Sequence, residues 1–490
     1  MAYLGWLFAG LLVGALVGIG LAFAWRSNSF TMMESCEEDD EDSARLVAPL
    51  LKAHFKPTAV SAITITERRF PFRMRADLQR TIDRVFAGDI TIKHFFGVRN
   101  EYSHCAPTLT DCILETMNNP AYAIPPEYEE LDLGEDRPLQ VLKNALWLLE
   151  SDGVRFAVML SPCGQYGQVT GMQFQVGIPN TADGNQLAQS FFKQLEDAVA
   201  RGESYRGKIL SLEQAEHSFT GESSGITVHQ LRTVARDEVI LPAETLTLLE
   251  RNVIDFARSR ERLCQLGLSK KKGILFYGPP GTGKTHTIHH LAGSLRGHTT
   301  ILISAEQVGM LGEYMTLARL LQPSIVVMED VDLIARDRTS MDSVCEEVLL
   351  NKLLNEMDGL KEDAEIFFLL TTNRPEALEA ALASRPGRID QAIEFPLPDG
   401  EGRRKLVSLY APRQSLEPSL IDEIVRRTDG VSAAFIKELM RRATQFCVER
   451  SDATSDLIHA DVEAALDEML FKGGSLNRKL LGAGHECLES

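Results

Sequence analysis

The densest chemical signal in the chain is Gly278-Pro279-Pro280-Gly281-Thr282-Gly283-Lys284-Thr285. It fits the pattern G-x-x-x-x-G-K-[ST], with the apolar run Ile274–Tyr277 before it and helix-forming sequence after it. Glycines at this spacing let backbone N–H groups close around phosphate oxygens at a helix N-terminus. Lys284 is then placed to reach the β- and γ-phosphates of ATP, and Thr285 to ligate Mg²⁺. His286 follows directly and completes the candidate nucleotide-binding set. His289 and His290 share its helix, but nothing acidic is spaced to join the three as metal ligands, and they read as ordinary helix residues.

A second apolar run, Ile325–Met328, leads straight into Glu329, Asp330 and, two on, Asp332. Hydrolysis needs one carboxylate to hold a Mg²⁺ water and another to orient the attacking water. A third run, Glu365–Pro375, ends in Thr371, Thr372 and Asn373, whose amide can hold that water beside the γ-phosphate. Arg385 and Arg388 lie three residues apart, with no acidic partner within their own turn. Arginines at such an edge stabilise transferring phosphoryl charge in a neighbouring subunit's site.

Runs this apolar belong in the middle of a parallel sheet covered by helices on both faces. These pieces, in this order, resemble the AAA family of ATPases over Val239 to Gly473. The specific matches are "GPPGTGKT", "LNKLLNEMDGL" (Leu350–Leu360), "TTNRPEAL" (Thr371–Leu378) and "RPGRID" (Arg385–Asp390). The resemblance implies that Lys284 and Thr285 are the Walker A pair and Asn373 is the sensor. It makes Arg385 and Arg388 two arginine fingers acting across a subunit boundary in a homo-oligomeric ring, usually a hexamer. It also implies a helical lid after Asp399, where Ser432, Ala433 and Ala434 are small enough to pack against adenine, although the family's glycine is absent there.

By register with the family, Glu329 takes the place of its Asp and Asp330 that of its Glu, and Asp332 falls where the family often has a further Asp. The exchange moves one methylene from one arm to the other. The mitochondrial AAA subgroup that moves folded Rieske iron–sulfur protein across a membrane resembles this chain in that order, and in an N-terminal span and an α/β domain before the ATPase. That resemblance implies active hydrolysis. Membrane-anchored AAA proteases share "EMDG", but need His-Glu-x-x-His for zinc. Here His485-Glu486 lacks the second histidine, so no protease is expected in this chain. Ser304 to Pro323 is shorter than the family's threading loop, with Tyr314 as the nearest aromatic. Tyr314 reads equally as a packing residue or a channel paddle.

The 490 residues leave room for about three domains at roughly 100–200 residues each. A net charge of −18 repels phosphate backbones and anionic lipid, so nucleic acid is not expected as a partner. Eight scattered cysteines without Cys-x-x-Cys signal neither zinc nor a disulfide framework. Ala2 to Trp25 carries no charge over 24 residues. As a helix it reaches about 36 Å, enough for a hydrocarbon core of roughly 30 Å. A cleaved signal peptide is the alternative, with Ala22-Phe23-Ala24 as its site, but no Lys or Arg precedes the apolar run. Arg26 places the C-terminal side weakly on the cytoplasmic face.

The expected architecture is therefore α/β. It comprises a transmembrane helix at 2–25, an acidic disordered spacer at 26–44 and an N-terminal α/β domain at 45–225. A P-loop AAA large subdomain at 226–398, a helical lid at 399–473 and a flexible tail at 474–490 follow. In the N-terminal domain Met172, Phe174, Val176 and Ile178 alternate as a strand, and Leu187, Phe191, Leu195 and Ala198 share a helical face. The basic stretch "ERRFPFRMRADLQR" reads as the amphipathic entry to a helix from Arg75. The expected function is a membrane-anchored, ring-forming ATPase that remodels or translocates protein clients. The alternative is a nucleotide-gated assembly scaffold with negligible hydrolysis.

Overall fold

The computed structural model describes residues 46–100, 107–114, 120–165, 168–212, 225–332, 352–361, 363–376, 388–414, 416–450 and 456–472. The apolar stretch 2–25, the spacer, the tail and Arg385 lie outside them. Among the described residues, no helix is long and apolar enough to cross a membrane.

The N-terminal part is an antiparallel sheet of β1 (Ile63–Pro71), β2 (Thr91–Asn100), β3 (Ala121–Ile124), β4 (Glu127–Leu131), β5 (Leu139–Ser151), β6 (Val154–Gln165) and β7 (Gln168–Pro179). Its order is β1-β7-β6-β5-β2-β3, with β4 also on β5. The period-2 alternation sorts side chains to two faces. Ala145, Trp147 and Leu149 join Met172, Phe174, Val176 and Ile178 on one face. Leu146 and Leu148 join Val47, Leu51 and Phe55 of helix α1 (Val47–Phe55) on the other. The first face is covered by α2 (Arg75–Phe86) and α3 (Ala182–Arg201), which starts at the Thr181 cap and ends at Gly202 in the left-handed region.

The second sheet runs β14-β10-β13-β12-β11-β8-β9. Its strands are β8 (Ile209–Leu212), β9 (Ile226–His229), β10 (Lys272–Tyr277), β11 (Thr299–Ile303), β12 (Ser324–Met328), β13 (Ile366–Thr372) and β14 (Gln391–Glu394). All its pairings are parallel except the β8–β9 hairpin, for β11 takes β8 in parallel register. The sheet therefore takes in Ile209–Leu212 from the stretch assigned above to the N-terminal domain. Both faces are buried: Ile366, Phe368 and Leu370 point into one cluster, Phe367 and Leu369 into another. The first cluster also holds Ala76 and Leu133 of the N-terminal part, so the two parts share one core. Lys208, next to β8, donates to the Leu133 carbonyl (2.7 Å) across the same join.

The stretch expected as a helical lid folds, among the described residues, as four α-helices: α8 (Gly400–Tyr410), α9 (Pro418–Arg427), α10 (Ala433–Arg450) and α11 (His459–Asp467). They enclose their own core of Leu406, Ile424, Phe435, Leu439 and Leu466. The second sheet is flanked by α4 (Ala243–Leu249), α5 (Phe256–Gln265) and α6 (Lys284–Ser294) on one face and by α7 (Leu311–Leu320) on the other. Tyr314 on α7 is wholly buried; its hydroxyl donates to Gln307 (2.9 Å) and accepts from the Leu212 N–H (3.0 Å). It is a packing residue, which resolves the two readings left open by the sequence.

Candidate functional site

β10 lies between β14 and β13, and the connections leaving β10 and β13 run in opposite directions along the sheet. The C-terminal ends of strands at such a switch point open a ligand crevice. Gly278 takes the chain out of β10 at φ +145°, and a Cβ there would collide with the Phe395 carbonyl oxygen. Gly281 and Gly283 also have positive φ, and α6 begins at Lys284. The loop therefore curls tightly into the N-terminus of α6, the setting in which backbone amides cradle an anion.

A cavity of about 400 Å³ sits over this loop. It is lined by Pro280 to Thr285, by a wall of Val239–Leu241, and by Leu406, Tyr410, Ala433 and Ala434 of the C-terminal helices, against whose core Ile240 also packs. Asp330, Thr371 and Asn373 line it as well. The lid meets the loop directly. The Ala434 N–H donates to the Gly281 carbonyl (3.0 Å), and a Cβ on Gly281 would lie 2.8 Å from that of Ala434. Ser432 is buried at this junction, so the small residues expected to pack against adenine also admit the phosphate loop.

Lys284 is nearly buried, and its ammonium donates to the carbonyls of Gly278 (2.8 Å) and Pro279 (2.9 Å). Burial pulls it below the ordinary lysine range, with Asp330 and Asp332 opposing that shift. The Thr285 hydroxyl donates to Glu329 Oε1 (2.6 Å), which brings the two expected Mg²⁺-holding residues together. The longer arm of Glu329 makes this reach. Asp330 has φ +49°, a conformation unusual for a residue with a Cβ but tolerated by Asp. Its N–H is fixed by Thr371 Oγ1 (2.9 Å), and its Oδ1 accepts from Asn373 Nδ2 (2.9 Å). The shorter arm is thus locked against the Asn373 amide. His286 lines the cavity, with its Nε2 on the Glu238 carbonyl (3.2 Å).

Arg388 differs from the expectation of an unengaged edge arginine. Its Nε donates to Asp358 Oδ1 (2.9 Å) and a second nitrogen to Asp358 Oδ2. The partner comes from the "EMDG" stretch, 30 residues earlier, which inspection of Arg388's own turn could not reveal.

Asp332 is the residue whose role the sequence understated. It is buried, and its Oδ1 accepts from the Thr372 hydroxyl (2.9 Å) and the Asn373 N–H (3.1 Å). It ties the end of β12 to the end of β13 and so sets the register of the catalytic candidates. Asp332→Ala leaves both donors unpaired in a buried place. The expected cost is about 3 kcal/mol, read as a lower urea midpoint of the full chain. Val239–Leu241, Tyr410 and Lys437 also line the cavity without any motif to mark them.

Residues 274–397 match the family model described as "ATPase family associated with various cellular activities (AAA)". The chain is 31% identical over 242 residues to an ATP-dependent zinc metalloprotease, FtsH 2, of Symbiobacterium thermophilum, covering 47% of this chain and 41% of that protein. It is 34% identical over 224 residues to a 26S proteasome regulatory subunit 6B homolog of Encephalitozoon cuniculi, covering 43% and 57%. It is 32% identical over 219 residues to the proteasome-activating nucleotidase of Methanothermobacter thermautotrophicus, covering 42% and 52%. The chain spans about half the length of the curated relatives it matches.

Proposed function

We propose that this chain, whose residues 274–397 form an AAA ATPase domain, hydrolyses ATP and uses the energy to remodel or move protein clients. The observation that carries the reading is the pairing of both acids with residues that line the cavity: Glu329 with Thr285, and Asp330 with Asn373. Thr285 and Glu329 form an oxygen donor set suited to Mg²⁺, which when bound would neutralise charge on the phosphates. Lys284 and the loop amides bind the phosphate chain. Asp330 accepts a proton from, or orients, the attacking water, and Asn373 fixes that carboxylate. Val239–Leu241 and the lid wall exclude water from the base.

The client reading is supported by relatives whose names place them in proteolysis and in the proteasome. The buried Tyr314 favours larger or folded cargo, as in the Rieske translocase subgroup, over threading. The apolar stretch 2–25 would anchor the protein to a membrane with the ATPase on the cytoplasmic side. Copies of the chain would assemble as a ring, hexameric by family resemblance, with Arg385 acting on the neighbour's nucleotide; Arg388 would have to leave Asp358 to do so.

Mixing variants tests the shared site. Lys284→Ala and Arg385→Ala chains should each release almost no phosphate from ATP. Co-assembled, they should recover turnover, because some interfaces combine an intact loop with an intact arginine. Recovery would fail if each chain worked alone. An unaltered chain that assembles with ATP yet releases no phosphate would support a nucleotide-gated scaffold instead.

A further inference from the structure

Two histidines of the phosphate-loop helix grip the chain segment that becomes the nucleotide wall. β9 is the outer strand of the ATPase sheet. Its Ile226 and Val228 pack on the core cluster that includes Leu133 of the N-terminal part. Within a dozen residues the same chain reaches Val239–Leu241, the wall of the cavity. Between these ends lie buried Val234 and the tight turn Arg236–Glu238.

His290 Nδ1 lies 2.9 Å from the Val234 carbonyl, and His286 Nε2 lies 3.2 Å from the Glu238 carbonyl. A carbonyl only accepts, so each of these ring nitrogens must carry the hydrogen. This leaves His290 Nε2 as acceptor for the Ser294 hydroxyl (3.4 Å), one turn further along. His286 and His290 are four residues apart and share one face of α6. That helix begins with Lys284 and Thr285, so both donors move with the phosphate loop. The Glu238 carboxylate closes the turn on itself, accepting from the Ala235 N–H (3.4 Å) and from Arg232 (2.5 Å).

A buried imidazole bonded to a carbonyl is by itself an ordinary core feature. Here, however, both carbonyls belong to one short segment, and the second immediately precedes the wall. We propose that His286 and His290 are positioning residues for the nucleotide: they fasten residues 234–238 to the phosphate-loop helix, so that Val239–Leu241 stands as a fixed wall. The same strap joins that wall to the strand packed on the N-terminal domain. The inference rests on the nucleotide reading above; it adds His290 to that reading and gives His286 its part in it.

The test uses the full chain and a ribose-labelled fluorescent ATP. His286→Leu and His290→Leu should each weaken binding about tenfold, the effect of one lost hydrogen bond. His286→Gln and His290→Asn return an amide N–H near the ring nitrogen's place, and should bind within about threefold of the unaltered chain. Hydrogen exchange without nucleotide should be faster over residues 230–241 in the Leu variants than in the amide variants. Leu variants that bind and exchange like the unaltered chain overturn the inference. So do amide variants that bind as weakly as the Leu ones, because a role in packing alone would make the two equivalent. Failure of the unaltered chain to bind the probe would instead reject the nucleotide reading itself.

Discussion

Asp330→Asn is expected to lower ATP turnover by about 10²-fold or more while nucleotide affinity changes by less than about threefold. Asn fills nearly the same volume and also tolerates the left-handed backbone that Asp330 adopts at φ +49°. The loop therefore keeps its shape, and the Thr371 hydroxyl keeps its bond to the residue 330 N–H. What disappears is the negative charge that orients or deprotonates water. The exchanged order of the two acids sharpens the prediction. Glu329 spans to Thr285 with its longer arm, and Asp330 meets Asn373 with its shorter one. A chain carrying Glu329→Asp together with Asp330→Glu restores the family's usual order. It should still be slower, because Asp at 329 falls a methylene short of Thr285 and Glu at 330 overshoots the Asn373 amide. Phosphate release measured for the single and double variants decides this. A double variant faster than the unaltered chain would show that the site is not built around its own order.

The phosphate loop and its flanking strands were legible because their physics is local. An apolar run, a glycine turn and a helix start are contiguous in sequence, and each constrains the next. The alternation of Met172, Phe174, Val176 and Ile178 was legible for the same reason, and all four are buried on one face. What escaped reading depends on distant pairing. Nothing in Ile209–Leu212 announces that it adds to a sheet completed nearly 200 residues later, since its partner β11 specifies that membership. The bond between Arg388 and Asp358 crosses from one element to another, so spacing within a turn is blind to it. Tyr314 was ambiguous because an aromatic on a short helix has the same sequence signature whether it faces a channel or the core. Asp332 was noticed only as support for a register. Its two bonds to the end of β13 make it the brace that holds Asn373 beside Asp330. The wall Val239–Leu241 was invisible because any short apolar segment could form it.

Lys284→Ala should cut ATP affinity by about 10²-fold or more, and turnover with it, while the chain stays folded at a modest cost in stability. The ammonium is the one cation of the loop itself. Two charge-assisted bonds to phosphate at about 1.5–3 kcal/mol each account for a loss of that size. Lys284 also bridges the carbonyls of Gly278 and Pro279 across the loop, so its truncation frees two acceptors. Pro279 is exposed, so water can replace the donor there, but Gly278 is buried, so the variant should also lose about 1–3 kcal/mol of stability. Lys284→Arg should not rescue binding: the planar guanidinium is bulkier than the ammonium and fits poorly beneath the Gly278–Pro279 turn. Labelled-ATP binding and urea unfolding, measured on the same preparations, separate the two effects. This variant and Asp330→Asn then bracket the site from opposite sides, one losing binding and turnover together, the other losing turnover alone. If Lys284→Ala bound ATP within tenfold of the unaltered chain, backbone amides alone would hold the ligand. The cavity would then have no special preference for a triphosphate.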